Sequence, residues 1–428
     1  MTNLPQKFIE RMKKQLPESE WEAFFAVYGN APYTGARVNT LKARVKDTPF
    51  ADYPPVEWEE NGFYTSEKIG AHPYHFAGVL YSQEPSAMRV APLLEAQAGE
   101  RVLDLCSAPG GKGTRLAADL EGAGIAVLNE PIASRAKILS QNVERLGIAN
   151  AVVTCAYPNA LAEIFPEYFD KILVDAPCSG EGMFRKNAEE ALTEWSEENV
   201  ALCAERQREI LDCAVKMLKK GGKIAYSTCT FAPEEDEKQA QNFLQAHGEM
   251  RLLFEEKLYP HRVAGEGHYV AVFEKTAGEE SDLKPFKRAV SRATEKLYRE
   301  FEKTFFVRFR AENLHETVGA LYALPSDMPD FGKLHILRAG VRLGEVVGGR
   351  FQPSHALVMA SQKEDFCNFV DLPLTDIRVE KYLHGETLEA DGENGWCAVL
   401  VDGYPLGLGK RVNGTVKNHL PKGLRKHS

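Results

Sequence analysis

The sequence predicts an α/β fold: a doubly wound, Rossmann-like parallel sheet, preceded by an N-terminal α+β domain and followed by a C-terminal β-rich module. Three observations carry this expectation. Between 101 and 229, short apolar runs alternate with longer stretches of helical periodicity, which is the pattern of a parallel sheet. The first of these runs empties into a glycine-rich turn, APGGKG. Beyond about 280, helical patterning gives way to strand-like pieces separated by glycines. A chain of 428 residues exceeds one core, and divisions are expected at 1–80, 81–278, 279–332 and 333–428.

Taken in order, LPQKFIERMKKQL and PESEWEAFFAVY read as helices, the second opening on proline and acids. ARVNTLKA and GFYTSEK have strand character, and QEPSAMRVAPLLEA (83–96) reads as a helix. RVLDLC is a strand, TRLAADLEG a helix, IAVLNE a strand and PIASRAKILSQNVERLG a helix. AVVTC and FDKILVDAPC follow as strands, then the helix ENVALCAERQREILDCAVKMLKKGG and the strand KIAYSTC. HYVAVFEK (268–275) is expected to close the unit as an edge strand, and 284–303 to form a basic helix.

Composition excludes several classes. Of the residues, 44% are hydrophobic and 26% charged, and no apolar run approaches the ~20 residues of a membrane helix. The N-terminus has no secretory apolar segment, so a cytoplasmic protein without membrane contact is expected. Eight cysteines without a C-x-x-C pair read as reduced thiols, and the 11 histidines lack ligand spacing with them, so no metal is expected. A net charge of −9 argues against indiscriminate coating of nucleic acid. Local basic stretches do stand out: 281–310 has nine Lys/Arg against four acids, and the last 26 residues have six cations and no acid.

Four motifs carry chemistry. LDLCSAPGGKG places a turn at the carboxyl end of the first strand, where such sheets bind ligands. It matches neither phosphate-binding glycine pattern. Gly110 and Gly111 allow close backbone approach, and a helix N-terminus attracts a carboxylate, so a nucleoside-bearing amino acid such as S-adenosylmethionine fits. Glu130 ends the second strand, where an acid can accept from both ribose hydroxyls, or simply favour the next helix's start. Asn159 follows the third strand at an adenine-contact position. Asp175 and Cys178 end the fourth strand and Cys229 the fifth, so two thiols should converge beside the ligand.

Together LDLCSAPGGKG, VLNEPIASRAKILSQNVERLG, FDKILVDAPCSGEGMFRK and YSTCTFAPEEDE resemble the successive motifs of the NOL1/NOP2/Sun family of RNA cytosine-5 methyltransferases. YSQEPSAM and LGLGKRVNGTVKNHLPKGLR resemble its bacterial branch acting on 16S ribosomal RNA (RsmF-type). The resemblance implies S-adenosylmethionine contacts from Cys106, Ser107, Ala108, Pro109, Gly110, Gly111, Lys112, Glu130, Asn159 and Asp175. It implies that Cys229 attacks carbon 6 of cytosine, that Asp175, with a pKa raised inside the closed cleft, protonates or polarises N3 as the adduct forms, and that Cys178 assists release. Lys112 would lie near the base or the methionine carboxylate. The C-terminal module resembles a PUA-like RNA-binding barrel, and it, 281–310 and RVNTLKA are expected to grip RNA. A monomer acting on 16S rRNA or the small ribosomal subunit follows, rather than on DNA.

Competing readings are an inactive rRNA-binding assembly factor, an enzyme for another RNA such as tRNA, and a DNA methyltransferase using Cys178. The second strand-end cysteine disfavours the DNA enzyme. A cysteine hydrolase is disfavoured because no histidine lies in either cysteine motif. The acids Glu234, Glu235 and Asp236 after Cys229 are expected in the first turn of the next helix, behind Pro233.

Overall fold

The computed structural model describes residues 4–426. At its centre lies an eight-stranded sheet built from β1 (Arg101–Asp104), β2 (Ile125–Asn129), β3 (Ala151–Thr154), β4 (Phe169–Asp175), β5 (Leu218–Thr228), β6 (Met250–Leu258), β7 (His268–Lys275) and β8 (Ile336–Ala339). Their order is β6-β7-β5-β4-β1-β2-β3-β8. The five strands from β5 to β3 run parallel, and β6, β7 and β8 join antiparallel. Strand order reverses between β1 and β4, which opens a crevice above their carboxyl ends.

Both faces of this sheet are apolar because helices cover both. Leu103, Val127, Val152 and Ile172 enter one core, and their alternating neighbours Val102, Ala126, Val153 and Leu173 enter the other. The helix Glu197–Met217 covers the first face, its Ser196 hydroxyl accepting from the Asn199 N–H. The helix Ala133–Arg145 buries Ala136, Leu139 and Val143 on the second.

Two expectations about this unit are corrected. β7 is interior, lying between β5 and an outer strand β6 with several half-exposed and charged residues. Stretch 83–96 forms two short 3₁₀ turns, Ser86–Arg89 and Ala91–Leu94, each entered at or next to a proline, Pro85 and Pro92.

The N-terminal part carries helices Gln6–Gln15 and Glu18–Ala26 and a four-stranded antiparallel sheet between Gly35 and Ser82. The helices press Phe8 against Phe184 (ring centroids 5.1 Å apart) and Phe24 against Phe231 (5.9 Å). Both partners lie in the cysteine-bearing loops, so the first helices brace those loops from outside.

After the helix Arg292–Phe305, a four-stranded antiparallel sheet spans Leu314 to Pro353, and the five-stranded sheet from Phe369 to Asn418 follows. The boundary expected at 332/333 falls inside the former sheet, and β8, expected in the C-terminal module, extends the central sheet instead. The turn-forming run around Pro325 and Pro329 looks like a linker locally, while the pairing across it is long-range.

Candidate active site

Asp175 and Ser227 are cross-strand partners at the ends of β4 and β5, and the Ser227 hydroxyl donates to Asp175 Oδ1 at 2.9 Å. From that pair both chains leave the sheet side by side. Cys178 and Cys229 meet at 3.3 Å between sulfurs, and the Ser179 and Thr230 hydroxyls meet one residue further at 2.8 Å. Both thiols are half-buried and line a cleft of about 440 Å³ that Cys106, Ala108 and Arg135 also line.

Lys112 is buried and forms an ion pair with Asp175 Oδ2 at 2.8 Å. His268 Nε2 stands 3.7 Å from Asp175 Oδ1. Burial alone would raise the Asp175 carboxyl, but Lys112, with His268 adding to it, holds it well below the ordinary carboxylate range. In the free protein Asp175 is therefore a carboxylate, because Lys112 faces it; the raised pKa expected of it belongs to the closed cleft with the base bound. The Cys178 thiol is pushed well above its usual range, first by its hydrogen bond with Cys229 and then by burial. Cys178 is thus held as a thiol.

The acids following Cys229 are also corrected. The helix begins only at Glu237, and Glu235 and Asp236 are fully buried. Glu235 accepts from the Ser179 N–H (3.0 Å), the Ser179 hydroxyl and Gln207 Nε2 (2.8 Å), and so fastens the Cys178 loop. Asp236 accepts from the Thr228 hydroxyl at 2.6 Å and pairs with Lys257 at 2.9 Å, fixing the end of β5. Only Glu234 reaches solvent, pairing with Lys238 at 2.7 Å. The Gly182 N–H donates to the Cys229 carbonyl at 2.8 Å, and a Cβ on Gly182 would meet that oxygen at 3.0 Å. Glycine is required there for the two loops to touch.

The turn after β1 is held from several sides. Gly110 has φ +113°, a conformation that side chains disfavour. Arg135 donates to the Ala108 carbonyl at 2.8 Å, Asn142 to that of Pro109 at 2.8 Å, and Arg37 to that of Gly111 at 2.9 Å. Cys106 and Ser107 are buried at the start of the turn, the Ser107 N–H donating to the Asn129 carbonyl at 2.8 Å. Asp104 lies beneath, and burial pushes its carboxyl up to about 7. Asp104 Oδ2, Ser107 Oγ and Glu130 Oε2 are buried without a hydrogen-bond partner among the described residues. Glu130 accepts from the Ile132 N–H at 3.0 Å and lies 3.4 Å from Arg135. Such buried oxygens at the base of the turn are what a site for a polar ligand would use. Asn159, exposed in the first turn of helix Pro158–Ile164, is not among these buried groups.

RVNTLKA does not form the expected RNA-gripping surface. Arg37 is 1% exposed and donates to Gly111 and to the Thr114 hydroxyl, while Asn39 donates to the Gly78 and Leu146 carbonyls. Lys42 donates to the Met359 carbonyl, and burial followed by Arg145 pushes its ammonium down to about 7. In the tail, Arg411 is buried against Asn368 and Phe369, and Lys426 pairs with Glu380. Sequence reasoning missed Asp104, Arg135 and His268, and it gave Glu235 a helix-start role instead of its place under the Cys178 loop. Asp104 alone left a local signal, an acid inside an apolar strand.

A doubly wound sheet whose crevice holds a glycine turn and a buried ion pair has the architecture of an S-adenosylmethionine-dependent methyltransferase. Residues 91–275 match the family model of 16S rRNA methyltransferase RsmB/F. Residues 4–85, 300–360 and 369–426 match the N-terminal domain, first C-terminal domain and PUA domain of RsmF. The chain belongs to this family, the RsmF-type branch of the Sun methyltransferases. Ribosomal RNA small subunit methyltransferase F of Klebsiella pneumoniae is 32% identical over 98% of this chain and 96% of its own. The enzyme of that name from Vibrio cholerae is 31% identical over 99% and 98%. A methyltransferase homologue from Pyrococcus horikoshii superposes with TM-score 0.57 at 26% identity, covering 64% of this chain and 96% of its own. NSun6 of that organism, solved with SFG, shares the fold at TM-score 0.57 and 19% identity, over 65% of this chain and 100% of its own.

Proposed function

We propose that this protein forms 5-methylcytosine in 16S rRNA in the cytoplasm, as a monomer, through a covalent bond between Cys229 and carbon 6 of the base. The observation that carries this reading is the meeting of Cys229 and Cys178 at 3.3 Å beside an ionised Asp175.

Carbon 5 of cytosine is a weak nucleophile, and sulfur addition at carbon 6 makes it enamine-like. S-adenosylmethionine, when bound, supplies the methyl group. The turn Cys106–Lys112, Glu130 with Arg135, and Asp104 would hold it; their unsatisfied buried oxygens suit its hydroxyls and cationic groups. As a carboxylate, Asp175 first accepts from the base's exocyclic amino group. The proton that N3 gains as Cys229 adds to carbon 6 is the one its thiol loses, passed through the Asp175–Lys112 pair. In the release step, Cys178 gives its proton to the departing Cys229 sulfur. The thiolate so formed takes the proton from carbon 5 as the carbon–sulfur bond breaks and the ring regains its double bond, and N3 returns its proton to solvent through Asp175.

A base reaches this cleft only after leaving its stack, which unpaired RNA permits cheaply. Exposed Lys284, Lys287 and Arg292, with Lys417 and Lys422 of the C-terminal sheet and tail, are cations placed to meet phosphate. Bisulfite sequencing of rRNA from cells with and without the gene tests the reading. Loss of a 16S rRNA 5-methylcytosine on deletion supports it, and an unchanged 16S profile overturns it.

A further inference from the structure

The most isolated polar side chain in the site is His268. It opens β7, is 3% exposed, and neither ring nitrogen has a hydrogen-bond partner among the described residues. An orphaned imidazole is costly unless it serves something nearby. Tyr269 pairs with Thr228 across the sheet, so His268 stands opposite the point where the chain leaves β5 for Cys229. Its loop also supports the cysteines. Arg185, beyond Cys178, is held bidentately by Glu266 at 2.7 Å, and the Gly267 and Glu266 carbonyls crowd Gly182.

We propose that His268 is a positioning residue for the reaction: it holds the Asp175 carboxylate from behind, on Oδ1, while Lys112 holds Oδ2. This rests on the reading of Asp175 and Cys229 given above. At 3.7 Å the contact is short of a hydrogen bond, so a shift of under an ångström as Asp175 engages the base would complete it. Asp175 then keeps both its charge and its orientation when a base competes for Lys112. Asp175 stands beside the imidazole, and the charges of Lys112 and of Glu84 in the N-terminal part act on it. Burial and Lys112 keep the ring neutral in the free protein, which suits a donor through one nitrogen only.

The test is the single-turnover rate of adduct formation on 5-fluorocytosine RNA, measured against pH for wild type, His268→Phe and His268→Gln, with S-adenosylmethionine affinity measured alongside. Removing the imidazole should slow adduct formation roughly 10–100-fold, the worth of one hydrogen bond to a charged group, at unchanged cofactor affinity. The acid limb of the profile should move to higher pH in His268→Phe, because Asp175 loses a partner that favours its charged form. His268→Gln keeps an N–H donor and should recover both rate and profile in part. Rates and profiles equal to wild type in both variants overturn the proposal. Equal losses of cofactor affinity and rate in both, with no shift in profile, also overturn it, leaving a packing role. Failure of wild type itself to form an adduct overturns the underlying reading and the proposal with it.

Discussion

Cys178 and Cys229 are 51 residues apart in sequence, yet their sulfurs are 3.3 Å apart in the fold. Parallel pairing of β4 with β5 produces this contact: Asp175 and Ser227 are in register, and each cysteine follows within three residues. Cys178 is held as a thiol, which suits it to release rather than to attack. Cys178→Ser should therefore still attack the base but release it slowly. A denaturing gel with ordinary RNA should show a persistent protein–RNA band, whereas Cys229→Ser should show none and lose roughly a thousandfold or more in turnover.

Lys112→Met removes the cation that keeps Asp175 ionised. A buried carboxyl without it moves up, so the active carboxylate form is lost as pH falls through a higher value than in wild type. The acid limb of the pH–rate profile should shift upward, with a loss of about 100-fold near neutrality. A profile that superposes on wild type after scaling would show that Lys112 does not set the Asp175 charge.

Asp104 gives the cofactor site its own pH dependence. Its carboxyl, raised to about 7 by burial, is largely protonated below that value. A ligand bearing positive charge binds the ionised form better, so binding expels the proton under acidic conditions. Affinity for S-adenosylmethionine should rise up to about tenfold per pH unit below 7 and level off above it. Calorimetric titration from acid to alkaline pH measures this, and Asp104→Asn should give weaker binding with a flat profile.

Glu235 is the anchor of the Cys178 loop. Glu235→Ala leaves the Ser179 N–H and Gln207 without an acceptor, a cost of about 2–4 kcal/mol that thermal unfolding will register as a drop of several degrees. Adduct formation should fall more than cofactor affinity, because the freed loop lies on the thiol side of the cleft. Glu235→Gln retains an acceptor oxygen and should suffer less on both counts.

Much of the catalytic fold was legible because its signals are local. Apolar runs such as ILVD and the turn APGGKG announce β4 and the end of β1 within a few residues. The cysteine pair followed from strand ends alone. His268, Arg37 and Glu235 were not legible in these roles, since each acts on partners 28 to 93 positions away. Arg37 shows the hazard most plainly: an arginine in a stretch read as a surface grip is buried and pins the glycine turn. Glu235 and Asp236 mislead in the same way, because proline followed by acids looks like a helix start until tertiary contacts claim the acids.

The most direct test is the site of covalent attachment. A 16S rRNA fragment containing 5-fluorocytosine is incubated with the protein and S-adenosylmethionine, digested, and read by mass spectrometry. The expected result is the modified base on the peptide YSTCTFAPEED, at Cys229. Attachment at Cys178, or methyl transfer to the fragment without any adduct, would contradict it.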